Sequence, residues 1–593
     1  MELPTRSKND RLTSAGAHRQ LRQDLRAKLC DRELTAVFFY CFDHRTRLLP
    51  FIFADVRMVP CGARQVTGTL LDAGFAAVRM VLQQWSPNVR PSRVRLKGRA
   101  PDLLLFSAMS LHSQSMYDLI ADACTIPPDL RPLVLCGGPK AIYQPADLFH
   151  VHGRPEVSSD AACMGEDFIL LDLLDRLAHR LGDRRNLRQA FLELRDLGDL
   201  ADVPGLMYLE ASDDCSRLVN TGPQRLSTDL DQLPMPQDAY GHIEPPHSRK
   251  ELAPHPMPLH SVARKAPIAS LTLTQGCRFA CGYCPIPAYN QRTYRRKSGL
   301  RIAEEMQSLA SIGLRALFGT DDNFFDNRNG AAEILETVAR FRRDRRGDPS
   351  VVWRWGTETT LFDAHRNLDL MQLARESGMQ AVWFGIEDLT ASLINKGQSA
   401  EKTTIVFQSL LDKGIMPMPM MMHSDKQPLL SRGDLRGLLN QIHFLRRAGA
   451  GGLSLTMITP AVGTKWFEKP YHDGIVFKTV GDVVVEDRHF DGTHVVASAD
   501  AKPWRRQLNL LAGYLMFYNP IQMLAGLARR RRWHLVGMDL LLQLVGMAGL
   551  TATAGEWLRW AFKLAWGGWT TAPAPPQSSL AIVWPAKQTQ PNS

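Results

Sequence analysis

The chain of 593 residues carries 71 Lys and Arg against 60 Asp and Glu, a formal net charge of +11. Its 45% hydrophobic and 22% charged residues are an ordinary globular composition that excludes wholesale disorder, and the length exceeds what one core serves, so two or three domains are expected. The basic excess gathers in runs such as Arg342–Arg346 and Arg529–Arg532; these read as solvated faces, and without an aromatic-and-basic RNA-binding pattern no nucleic-acid partner is expected.

Residues 1–30 are polar and basic, lack an apolar signal core, and read as a flexible extension of a cytoplasmic protein. In chain order, Ala36–Tyr40 reads as a buried strand, Gly68–Trp85 as an amphipathic helix, Asp102–Met109 as a strand, Ser115–Cys124 as a helix and Pro132–Gly138 as a strand ending in glycines. This alternation predicts a doubly wound parallel α/β domain over 31–232, binding its ligand at the carboxyl ends of the strands. The proline-rich stretch 233–267 reads as a linker.

Over 268–467, strand-like segments such as SLTLT, ALFGTDD, AVWFGIED and MPMPMMMH alternate with helical ones. Six strands are expected, in a partial (β/α)6 TIM-like barrel with its chemistry on the loops after the strands. Residues 468–570 form a C-terminal mixed and helical region, in which FDGTHVVAS reads as a strand pair. The Trp- and Leu-rich helical stretch that follows is interrupted by Asp539 and Gln543, which favours peripheral membrane contact or plain helix packing over a true span. Residues 571–593 read as a disordered tail.

Ten cysteines in a reducing compartment are packing residues or metal ligands rather than a disulfide framework. Cys30, Cys41, Cys61, Cys124, Cys136, Cys163 and Cys215 are scattered and read as small buried hydrophobes. Cys277, Cys281 and Cys284 instead crowd into the loop after the first barrel strand, in LTLTQGCRFACGYCPIP. A structural zinc site asks for four ligands, and no second pair follows; a redox Cys-x-x-Cys motif explains only Cys281 and Cys284. Three thiolates from a short loop suit a 4Fe-4S cluster, which they hold by three irons while the fourth stays open.

This Cys-x3-Cys-x2-Cys motif, with Tyr283 just before the last cysteine, resembles the radical S-adenosylmethionine (radical SAM) superfamily over about residues 269–467. The resemblance implies that SAM chelates the open iron and that its one-electron cleavage gives a 5′-deoxyadenosyl radical. FGTDDN (Phe318–Asn323) stands where that superfamily often has a Gly-Gly-Glu turn, so Gly319, Thr320 and Asp321 are expected at SAM, although the second glycine is missing. Tyr283, Glu358 and Glu387 are expected there too, the carboxylates at ribose or ammonium, and Thr459 opens a TPAVGT turn resembling one that lines adenine.

The preceding domain resembles a cobalamin-binding domain in its Ser-rich strand end with Ser107 and Ser110, its Gly137-Gly138 turn and its Gly165-Glu166 turn. Small residues there would let the backbone approach a corrin and its tail. The Asp-x-His-x-x-Gly motif is missing, since Asp43 and His44 are adjacent and His112 stands outside the pattern, so no histidine is expected below cobalt. A sheet that merely covers the barrel mouth is the competing reading.

Taken whole, the chain resembles cobalamin-binding radical SAM enzymes, best known for methylating unactivated carbon or phosphorus. That implies a small-molecule substrate and an electron donor such as a flavodoxin or ferredoxin, and the Trp-rich basic C-terminal region points to a lipid-like substrate. A cobalamin-binding radical SAM enzyme that cyclises or oxidises without methyl transfer is the alternative within the class; a noncatalytic iron–sulfur electron carrier or redox sensor is the alternative outside it.

Overall fold

The computed structural model describes residues 3–46, 57–181, 186–211, 217–529 and 532–585; Cys215 and the centre of the Arg529–Arg532 run lie outside them. Unbroken apolar runs make the first sheet because both of its faces are covered. In β1 (Thr35–Tyr40), Phe38 enters one core while Val37 and Phe39 enter the other. β2 (Met58–Val59) leaves for the second sheet, while β3 (Ala77–Leu82), β4 (Leu103–Ser107), β5 (Leu133–Gly137) and β6 (Ala161–Cys163) join β1 in the parallel order β3-β1-β4-β5-β6. The order reverses once, between β1 and β4, which is where a doubly wound sheet opens its ligand crevice. β7 (Leu206–Leu209) and β8 (Arg217–Asn220) extend the sheet antiparallel.

The second sheet begins with β9 (Ile268–Leu271), and the hairpin of β10 (Thr274–Gln275) and β11 (Arg295–Arg296) brackets the cysteine loop. β12 (Ala316–Gly319), β13 (Arg354–Thr359), β14 (Met379–Glu387), β15 (Met416–His423) and β16 (Ser454–Met457) follow in sequence order, all parallel, giving the six curled strands of a partial barrel. β2 pairs with β9 and covers that edge. At the other edge side chains replace a strand. The Tyr514 hydroxyl accepts from Leu455 N (2.9 Å) and donates to Leu455 O (2.8 Å), and Tyr518 does the same at Leu453, so backbone groups of β16 are satisfied without a seventh neighbour.

The C-terminal region holds β17 (Phe477–Val480), β18 (Val483–Val484) and β19 (Trp569–Thr571) in a small antiparallel sheet, with helices Pro503–Phe517, Pro520–Arg529 and Trp533–Phe562. FDGTHVVAS is irregular rather than a strand pair, with a single bridge from Ala497 to Val476. One apolar core runs from the N-terminal helix through both sheets to these helices.

Three further expectations need correction. Residues 17–29 form a helix that buries His18, Leu25 and Leu29, because one apolar stripe suffices against the domain. Gly68–Trp85 is divided: a helix ends at Asp72, Gly74 turns at φ +97 where a Cβ would press on Arg26, and β3 follows. The tail is not disordered over its described part, residues 571–585, since β20 (Ala581–Val583) pairs in parallel with β8, whose free edge offers backbone partners.

Candidate active site

The FGTDDN turn after β12 moors the cysteine loop. Asp321 Oδ1 accepts from the amides of Leu273 (3.0 Å) and Thr274 (2.7 Å), and its other oxygen accepts from the Thr357 hydroxyl. Asp322 accepts from Gly276 N (2.6 Å) and Asn290 Nδ2 (2.9 Å), and Asn323 directs its amide at Cys277 Sγ (3.8 Å). Asp321 was expected at SAM, yet both of its oxygens are taken by protein donors. Gly319 serves this carboxylate, since a Cβ would lie 2.5 Å from Asp321 Oδ2, and Thr320 N donates to Leu271 O (2.7 Å).

The far side of the loop rests on Trp466. A Cβ at Gly282 would come within 2.2 Å of the Trp466 indole nitrogen, and Trp466 N donates to Gly282 O. Tyr283 stacks at a tilt on Trp466 and donates its hydroxyl to Glu387 Oε1 (2.7 Å), which also accepts from Lys396 Nζ (2.8 Å). Glu387 adopts φ +59 at a bulge in β14, a strained conformation that non-glycine residues keep where surrounding contacts enforce it. Glu387 and Tyr283 thus brace the loop.

Burial pushes the Cys277 thiol up to about 11 and Cys284 up to about 12, and raises Cys281 against the opposing charge of Lys396. Such thiols ionise only with a strong electrophile such as iron beside them. Among the described residues no three His, Cys, Asp or Glu side chains converge closely enough for a single metal ion, yet Cys277 feels the charge of Cys281, and Cys284 that of both Cys281 and Cys277. That spacing and the soft sulfur donor set suit a cluster larger than one ion.

Inside the barrel, Glu358 is half-buried and has no hydrogen-bond or ion-pair partner among the described residues. Burial, then the charges of Asp321, Asp322 and Glu387, push it up to about 8. Burial also lifts Asp321 and Asp322 to about 6. On the same face by strand register come Trp383 and Met418, and Phe318 packs edge-on against Trp383 at 4.9 Å. Thr459 is half-buried in the loop after β16.

At the carboxyl ends of β4, β5 and β6, a cleft of about 60 Å³ is lined by Ser107, Gly137, Gly138, Gly165 and Glu166, five of the six residues expected at cobalamin. Ser110 is not among them and lies in the turn before helix Ser113–Cys124. Gly138, at φ +78, lets Ser107 approach, since a Cβ would lie 2.5 Å from its hydroxyl. Glu166 also grips Arg295 of β11 through both oxygens, at 3.0 and 2.5 Å. Burial opposes ionisation of Asp167 beside the cleft, but His18, Thr69 and Gln65 hold its carboxyl down to about 2. His112 is buried and accepts from Asp43 N (3.0 Å).

The two domains meet at the cysteine loop. Tyr143, on the helix after β5, reaches Pro285 O with its hydroxyl (3.4 Å) and covers Gly463, where a Cβ would come within 2.5 Å of its ring. Sequence reasoning missed Tyr143, Arg295, Asp322, Lys396 and Trp466. Only Asp322 carried a signal, its place beside Asp321.

No known family profile matches the chain. In fold it is similar to the radical SAM methyltransferase TsrM of Kitasatospora setae, solved with cobalamin and a [4Fe-4S] cluster, with a TM-score of 0.56 at 15% identity over 87% of this chain and 99% of that one. The cobalamin-dependent SAM radical enzyme OxsB gives a TM-score of 0.55 at 12% identity, over 89% of this chain and 80% of that one. This chain therefore has the fold of the cobalamin-dependent radical SAM enzymes. In sequence it is 28% identical over 142 residues to the hopanoid C-2 methylase of Rhodopseudomonas palustris; the match spans 23% of this chain and only 26% of that protein.

Proposed function

We propose that this protein is a cobalamin-dependent radical SAM methyltransferase acting on an unactivated carbon of an apolar small molecule. The observation that carries the reading is the meeting of both sheets' carboxyl ends at the cysteine loop, with Tyr143 on Pro285 and Glu166 on Arg295. Cys277, Cys281 and Cys284 would hold the 4Fe-4S cluster, Glu358 would face SAM, and the cleft at Ser107, Gly137, Gly138 and Gly165 would take part of cobalamin. When bound, these groups supply a one-electron reductant, a methyl source and a methyl carrier.

The chain's own residues place and shield. Lys396 offsets negative charge beside Cys281. Glu358, lacking a protein donor, is left for a cationic or hydroxyl-bearing ligand. Phe318, Trp383 and Met418 give the interior an apolar wall that excludes water and suits an apolar substrate. The hopanoid C-2 methylase, by its name a methylase of an apolar compound, supports that substrate class.

The test is anaerobic reconstitution with iron and sulfide, followed by incubation of the loaded protein with cobalamin, a reductant, methyl-deuterated SAM and an apolar extract. About four irons per chain are expected, falling steeply in Cys277→Ala, Cys281→Ala or Cys284→Ala. A deuterated methyl group should enter one extract component by mass spectrometry. 5′-Deoxyadenosine without a labelled product favours cyclisation or oxidation. Neither product from a protein with an intact cluster would leave an electron carrier.

A further inference from the structure

Helix Trp533–Phe562 is built inside out. Its protein-facing side carries Asp539, Gln543 and Thr553, all buried, while the outward side presents Trp533, Leu541, Leu544, Ala548, Leu558 and Phe562 at helical spacing, with no carboxylate among its exposed residues. Asp539 is satisfied inside by Arg446, at 2.6 and 2.9 Å. A helix that faces water on its outer side reverses this arrangement. Trp533 is 89% exposed, Trp566 75% and Leu541 60%, and Ile521 and Leu524 on the preceding helix continue the apolar surface. Two helical stretches here, Pro503–Leu527 and Trp533–Gly567, are long and apolar enough to cross a membrane by length and composition alone.

We propose that this face docks on the surface of an anionic lipid bilayer. Two features favour a bilayer over a second copy of the chain. Indole rings stand near both ends of the apolar stripe, Trp533 at one and Trp566 at the other, as at a membrane interface. Cations flank it: Arg532 and Arg559 are exposed, and Arg559 and Lys563 share a cleft with Phe562 and Trp566, where Asp482 pairs with Lys563. A basic rim is complementary to anionic headgroups, whereas an identical copy would bring the same cations against it.

The helix lies on the bilayer rather than through it. Its thirty residues run about 45 Å, and its other side is committed to protein, with Trp557 and Trp560 buried. That same side places Leu535 against Ala381, Met416 and Met418 of the barrel strands. One helix thus joins the lipid-facing surface to the apolar strand wall. The docking itself does not depend on the reaction proposed above.

Flotation of the purified full chain with vesicles of phosphatidylglycerol and phosphatidylcholine, and with phosphatidylcholine alone, tests this. The protein should float with the anionic vesicles and lose most of that binding as salt rises. Leu541→Glu with Leu544→Glu should lower the partition coefficient at least tenfold, with far-UV circular dichroism unchanged. Independently of any variant, brominated lipids should quench the tryptophan emission of the unaltered protein, and Trp533→Phe should remove part of that quenching. A protein that stays out of anionic vesicles at low salt overturns the proposal. So does a dimer that the double substitution dissolves while vesicle binding is nil, which would assign the face to a second copy.

Discussion

Replacing Glu166 by Gln separates two roles of one carboxylate, clamping the domains and lining the cleft. Its oxygens accept from Arg295 at 3.0 and 2.5 Å and from Ser227 N at 3.0 Å, and the two charged side chains are only 6% and 3% exposed. Breaking so buried a pair on one side leaves an uncompensated guanidinium, which costs about 3–5 kcal/mol, against at most about 1 kcal/mol for an exposed pair. Arg295 keeps Ser227 O (3.0 Å) and Asn290 Oδ1 (3.2 Å) as acceptors, so the lower end, about 3 kcal/mol, is expected. With a urea slope of about 3 kcal/mol per M, the apo-protein midpoint should fall by roughly 1 M. The assay is urea unfolding of the apo-protein followed by circular dichroism, for Glu166→Gln, Arg295→Met and the double variant. The double variant should recover most of the loss, because no charge stays buried without its partner. A Glu166→Gln midpoint within about 0.2 M of the unaltered protein would refute the clamp.

The raised Glu358 makes stability depend on pH. A carboxyl pushed up to about 8 holds its proton more tightly in the folded chain, so apo-protein stability should fall as pH rises from the ordinary value of about 4.5 to about 8, by at most about 1.4 kcal/mol per unit, and level off above. Glu358→Gln removes that slope, so its urea midpoint should match the unaltered protein near pH 4 and exceed it at pH 8 by the equivalent of roughly 2–4 kcal/mol, while SAM binding weakens. Equal midpoints at pH 8 would mean that the carboxylate has a folded-state partner. Gly282→Ala should cost about 1–3 kcal/mol and lower iron uptake, because the new methyl group falls 2.2 Å from the Trp466 indole nitrogen. Trp466→Ala in the same chain should restore iron, and full iron uptake by Gly282→Ala alone would contradict the contact.

The spacing of the three cysteines and the alternation of strands and helices were legible because each is a local pattern: a spacing or a period. The same locality explains the misreadings. Gly68–Trp85 reads as one amphipathic run, and the left-handed turn at Gly74, with the Arg26 and Cys30 backbone close against it, divides it. The tail strand depends on the free edge of β8, more than three hundred residues earlier. Asp321 and Glu166 read as ligand contacts because they are carboxylates at strand ends; that the Leu273 and Thr274 amides and the Arg295 guanidinium also engage them is a fact of packing.

What the amino-acid sequence determines here is the chemistry available at each strand end, since thiols, carboxylates and small residues act according to type and spacing. Which of them meet is decided only by the tertiary structure, because contacts such as Tyr143 with Pro285, Lys396 with Glu387 and Arg446 with Asp539 depend on how two sheets and a helix pack. The inside-out helix is the sharpest case. Its composition announces an apolar segment, but only the burial of Asp539 and Gln543 shows which side was turned toward the protein and which was left exposed.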